Sequence, residues 1–154
     1  MKSKDSKQRI YASLMILGAS ILLFRTMRMI LVEKAFEILV LWVFALLIVE
    51  FLIDLSCILA SIRWFTTSKR VNARLPLWFG AIATILHSIR VLIYVLGRTG
   101  PWVNFDVKPE YKNSYTFEWF LVYFAGILSI LGIVGVIVIW QIIRIKGKKT
   151  DVID

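Results

Sequence analysis

The chain predicts an all-α integral membrane protein, one domain built as a four-helix antiparallel transmembrane bundle. Three observations lead there. Of 154 residues, 59% are hydrophobic and the mean hydropathy is +0.78, against roughly 45–50% apolar usage in soluble domains. A soluble domain of this length has no interior large enough to hide that much apolar surface, so lipid must solvate much of it. The apolar residues gather into four stretches, each near the ~20 residues that cross the hydrocarbon layer. Basic residues collect in alternate connections, as the positive-inside rule requires.

The expected spans cover residues 10–32, 36–62, 77–96 and 119–145. In the first, the uninterrupted apolar part from Ile10 to Phe24 is short for a crossing, so the helix continues through Arg25 and Arg28. Lys2, Lys4, Lys7 and Arg9 resemble the basic start of a signal peptide, but no small-residue cleavage site follows, and the segment reads as a retained span. Glu33-Lys34-Ala35 forms a tight turn that folds the first two spans into a hairpin. The second connection, Arg63 to Pro76, is basic and polar, and Pro76 suits the first turn of the third span. The third, Gly97 to Glu118, is the longest, with a turn at Gly100-Pro101.

Charge then sets the orientation. Lys2, Lys4, Lys7 and Arg9, then Arg63, Lys69, Arg70 and Arg74, then Arg144, Lys146, Lys148 and Lys149 fall on one side of a chain that crosses four times. The other side holds Lys34 and a third connection in which Arg98, Lys108 and Lys112 face Asp106, Glu110 and Glu118. Both termini are expected in the cytoplasm, the membrane being the plasma or cytoplasmic one. The net charge of +9 therefore describes topology and attraction to anionic headgroups, and no nucleic-acid partner is expected. Trp64 and Trp78 should anchor the inner ends of spans two and three, and Trp102 and Trp119 the outer face; Trp42 sits deeper and fits this belt less well.

The spans carry charges that need a reason. Glu50, Asp54, His87 and Arg90 lie inside apolar stretches, where a charge at mid-bilayer costs at least ~3 kcal/mol and persists only if paired, hydrated or used. Glu50, Asp54, Cys57 and Ser61 step by four, three and four residues and share one helix face. His87 and Arg90 share a face of the third span, with Tyr94 continuing it. At ~1.5 Å of rise per residue, Arg90 matches Glu50 in depth and His87 matches Asp54. A two-rung ladder follows, Arg90 with Glu50 and His87 with Asp54. Arg25 lies deep enough to join the Glu50–Arg90 layer. Arg28 should snorkel outward or meet Glu37.

Three readings of this seam follow. One is structural: ion pairs that fix helix register in lipid. The second is a proton or ion pathway, with Glu50 and Asp54 as acceptors, His87 as the titrating relay and Arg90 and Arg25 as counter-charges. A third, minor reading holds an anion or lipid headgroup on Arg25, Arg28 and Arg90. No metal or cofactor is expected: the ligand types are sparse, Arg90 opposes a cation, and one histidine excludes bis-histidine haem in one subunit. An enzyme stays open but is a weaker reading still, since Gly-x-Ser-x-Gly, His-Glu-x-x-His and phosphate-cradling glycine loops are absent. A Cys57/His87/Asp54 triad can be drawn, yet a lone cysteine in an apolar helix is more often a packing residue. It also excludes an intramolecular disulfide.

In the fourth span Gly126, Ser129, Gly132 and Gly135 recur every three residues. Small residues let helices approach closely in lipid, so this ridge serves packing within the bundle or, alternatively, contact with a second copy or a larger membrane complex. Such a partner would make the chain a structural or accessory subunit. The third connection is aromatic, with Phe105, Tyr111 and Tyr115, and should cap the bundle or touch a partner. The four-span layout resembles tetraspan proteins in general, but the cysteine pairs that staple their outer loops are missing, so no function follows from the likeness. A voltage sensor is excluded because the last span carries no arginine ladder.

Overall fold

A computed structural model describes the backbone of residues 2–99, 103–112 and 119–148, and all side chains among these except 2–5, 119, 121 and 145–148. The expected turn at Gly100-Pro101, together with Trp102, Tyr115, Glu118 and Lys149, lies outside the described residues.

Four long helices dominate: α1 (Lys2–Leu31), α3 (Leu41–Thr67), α4 (Arg74–Leu96) and α5 (Trp119–Lys148). Each is long and apolar enough to cross a membrane. A short helix, α2 (Ala35–Ile38), precedes α3, and 3-10 turns occupy Arg70–Ala73 and Pro109–Tyr111. Helix α1 packs on α3, α3 on α4, and α4 on α5.

The buried residues repeat with a period near 3.5. On α3 they are Val43, Leu47, Glu50, Asp54, Cys57, Ser61 and Trp64; on α1 they are Ala12, Met15, Ala19, Leu22, Thr26 and Met29. Alternating steps of three and four keep one seam facing a neighbour along the whole helix, as in coiled coils. The buried hydroxyl residues of α1, α3 and α5 satisfy themselves locally. Ser61, Thr26 and Ser129 donate to the carbonyls of Cys57 (2.7 Å), Leu22 (3.1 Å) and Ala125 (2.9 Å) one turn back. The outward faces are apolar instead, with Phe24 73% and Leu59 60% exposed.

Two apolar clusters flank the middle of the bundle. One joins Ala12, Met15 and Ala19 to Cys57, Trp64, Leu77, Val136 and Ile139, bringing all four long helices together. The other joins Met29, Leu39, Val43, Leu47 and Tyr94. The buried charged residues of α3 and α4 fall between them.

Four expectations need correction. The second span does not run unbroken from Phe36. Lys34 is left-handed (φ 49°), α2 ends after one turn, and Leu39 and Val40 are extended. The extended pair is held by the loop between α4 and α5: the Val40 amide donates to the Asp106 carbonyl (3.0 Å) and the Lys108 amide to the Ile38 carbonyl (2.9 Å), with Leu39 bridged to Val107. Because α3 starts at Leu41, Trp42 is at its first turn rather than deep in a span, and stacks on Phe105 at 5.8 Å. The third span also begins earlier than Leu77, at Arg74, with Pro76 in its first turn. Finally, Trp64 is not a surface anchor. It is 0% exposed, and its Nε1 donates to Gln8 Oε1 (3.1 Å), tying the start of α1 to the end of α3.

Candidate functional site

Glu50, Asp54, His87 and Arg90 are each 0% exposed and lie in direct contact. The seam spacing explains why. Glu50 and Asp54 take successive seam positions on α3, and His87 and Arg90 take facing positions on α4. Partner numbers fall along α4 as they rise along α3.

Both pairs drawn from depth are present. Arg90 Nε donates to Glu50 Oε2 at 2.6 Å, and His87 Nε2 lies 3.0 Å from Asp54 Oδ2. A further bond joins the rungs: Arg90 Nη2 lies 2.8 Å from His87 Nδ1. Guanidinium nitrogens only donate, so His87 Nδ1 must accept. The remaining ring proton therefore sits on Nε2 and is donated to Asp54. The tautomer follows from the partners of the two ring nitrogens. The result is one continuous chain, Glu50–Arg90–His87–Asp54. His87 Nδ1 also lies 3.4 Å from Glu50 Oε2, so the imidazole stands between the two carboxylates.

The shell around the chain is mostly apolar. Arg90 Nη1 donates to Met29 Sδ (2.7 Å), Tyr94 Oη reaches the same sulfur at 3.5 Å, and the guanidinium sits 5.9 Å from the centre of the Tyr94 ring. Glu50 Oε1, Asp54 Oδ1 and Arg25 Nη1 are buried atoms with no hydrogen-bond partner among the described residues. Unsatisfied buried acceptors are expensive, so the second oxygen of each carboxylate is a spare acceptance site. Arg25 lies within electrostatic reach of Arg90, Tyr94 and Glu50, which supplies a second cation against two carboxylates.

Other expected residues go elsewhere. Arg28 meets Glu33 at 3.5 Å rather than Glu37, and Glu37 meets Lys34 at 3.8 Å. The turn after α1 explains the exchange, because it brings Glu33 back against Arg28 before α2 begins. The Cys57 thiol donates to the Pro76 carbonyl at 3.6 Å, so it is directed away from His87 and the drawn triad does not form. Among the described residues no three His, Cys, Asp or Glu side chains are grouped as metal ligands.

The four small residues of α5 separate. Ser129 is buried, and a Cβ on Gly132 would fall 2.6 Å from Thr84 Cγ2, so α5 meets α4 closely there. A Cβ on Gly126 or Gly135 would meet nothing within 4 Å. Three-residue steps turn a helix by about 300°, so the positions drift around it and cannot all face one neighbour.

Sequence reasoning missed two features. Met29 as partner of Arg90 left no signal, since it looks like any apolar residue of a span. The second is a clamp in the α4–α5 loop: Arg98 Nη1 and Nη2 grip the two oxygens of buried Asp106 at 2.9 and 3.3 Å. The carboxylate is interior because the loop folds back over the end of α4, setting it against Gly97 and Arg98. Comparison of the chain with protein-family models, with curated proteins and with solved structures gave no match.

Proposed function

We propose that the chain is an integral membrane protein of four antiparallel spans, both termini cytoplasmic, whose buried charged chain carries protons. The carrying observation is His87 between two carboxylates, Nε2 3.0 Å from Asp54 and Nδ1 3.4 Å from Glu50. Apolar outer faces support the lipid setting, and the clustering of basic residues at one end supports the orientation.

The transfer step balances simply. Arg90 releases Nδ1, a proton on Glu50 passes to Nδ1, and the Nε2 proton passes to Asp54. The imidazole is left in its other tautomer, and reorientation of the ring resets it. Arg90 is the counter-charge that holds Nδ1 between transfers, and Arg25 is the second counter-charge. The spare oxygens of Glu50 and Asp54 are where protons enter and leave.

A second reading has its own support. The four groups are fully buried between two apolar clusters, as a static clamp on helix register would be. The bare Gly126 and Gly135 would then suit an accessory subunit packing against a larger complex. One experiment separates the two. Purified protein in liposomes, with a pH-sensitive dye inside and a potassium diffusion potential applied, should conduct protons above protein-free vesicles. Glu50→Gln and Asp54→Asn should lose most of that flux. Folded wild-type protein with no flux, or variants that conduct like wild type, would overturn the proton reading and leave the clamp.

A further inference from the structure

At the basic end of the molecule, the 3-10 turn Arg70–Ala73, the start of α4 and the end of α5 border an open cavity of about 750 Å³ lined by Arg70, Arg74 and Arg144 with Leu77, Trp78 and Trp140. Among the described residues none of the three arginines is in an ion pair. The acidic side chains that are described lie elsewhere: Glu33 and Glu37 beside the α1–α2 turn, Glu50 and Asp54 in the seam, and Asp106 and Glu110 in the outer loop. Lys7, Arg9, Arg63 and Lys69 lie at the same end, yet none of them lines this cavity. All three guanidiniums are exposed on the walls of this one space, and their planar forks match phosphate oxygens.

The walls say more about the ligand. Trp78 and Trp140 meet edge to face, ring centres 5.5 Å apart and planes at 82°, and Trp78 is 58% exposed. An amphipathic aromatic pair beside a cluster of arginines is the arrangement of a headgroup boundary, with charge on one side and acyl chains on the other.

We propose that this cavity is a binding site for the phosphate of an anionic phospholipid, held by Arg70, Arg74 and Arg144, with the first part of its acyl chains against Trp78 and Trp140. The site rests on the membrane assignment above and is independent of proton movement. It differs from diffuse attraction to a charged surface because it uses three particular arginines out of the larger basic set.

Lipid retention tests it, read by native mass spectrometry of detergent-solubilised protein titrated with phosphatidylglycerol, phosphatidylcholine or inorganic phosphate. Wild type should retain phosphatidylglycerol in preference to phosphatidylcholine. Arg74→Gln with Arg144→Gln should weaken that retention roughly 100-fold, through loss of two charge-assisted hydrogen-bond donors to the phosphate. Lys7→Gln with Arg63→Gln removes equal charge from the same end and should leave retention unchanged. If the arginine double variant does not fold, Arg74→Lys with Arg144→Lys keeps the charge and should retain the preference in part. Equal weakening in the two charge-removing doubles would overturn the site in favour of diffuse adhesion. Equal retention of both lipids would also overturn it, and inorganic phosphate competing as well as the lipid would reassign the cavity to a soluble anion. A protein that stays in solution without detergent would instead sink the membrane assignment itself.

Discussion

The Arg90–Glu50 contact is where a single atom change should have the largest effect. Both groups are fully buried, so removing one partner leaves an uncompensated charge, at a cost of about 3–5 kcal/mol. Arg90→Met alone should therefore lower stability more than Arg90→Met combined with Glu50→Leu. Thermal unfolding of the four proteins in one detergent checks this as a double-mutant cycle, and additive losses would show that the pair is not coupled. Depth counting makes this pair legible because rise per residue is a fixed property of a helix. It could not reveal that Arg90 Nη2 reaches His87 Nδ1, or that Met29 closes the shell. Those contacts depend on how far each helix is rotated about its axis, which packing alone decides.

At the scale of elements, the α4–α5 crossing and the α4–α5 loop make opposite demands. Gly132→Leu must push against Thr84 and should cost about 1–3 kcal/mol through overpacking. Gly126→Leu meets open space and should stay within about 0.5 kcal/mol. Equal losses in a chemical denaturation series would contradict this assignment of the helix face. In the loop, Asp106→Ala removes the carboxylate that Arg98 grips, and should cost about 1–3 kcal/mol locally. Hydrogen exchange should then quicken at the Val40 and Lys108 amides, both held in the loop docking, while the centres of α3 and α4 stay protected. The docking explains why α3 starts later than hydropathy suggests. Ile38 to Val43 is apolar throughout, so nothing in its composition marks a break. The break forms because the loop supplies hydrogen-bond partners to an extended backbone there.

For the whole molecule, the first test is topology. Cys57, the single cysteine, is 1% exposed and should stay silent to an impermeant maleimide. Glu110→Cys should label in intact cells, and Thr67→Cys only after permeabilisation. The reverse pattern would invert the bundle, and labelling of both from outside would remove the four-span reading. Length, composition and apolar run lengths determine four long helices, because a backbone in lipid must satisfy its own hydrogen bonds and a span needs a fixed length. The charged residues and their depths also belong to the sequence. Only the tertiary structure decides which face of each helix turns inward. In a soluble bundle the contrast between apolar and polar residues would reveal that face. Here Ala12, Met15, Ala19 and Leu22 inside are chemically much like Leu14, Leu17 and Phe24 outside, so only side-chain packing tells them apart.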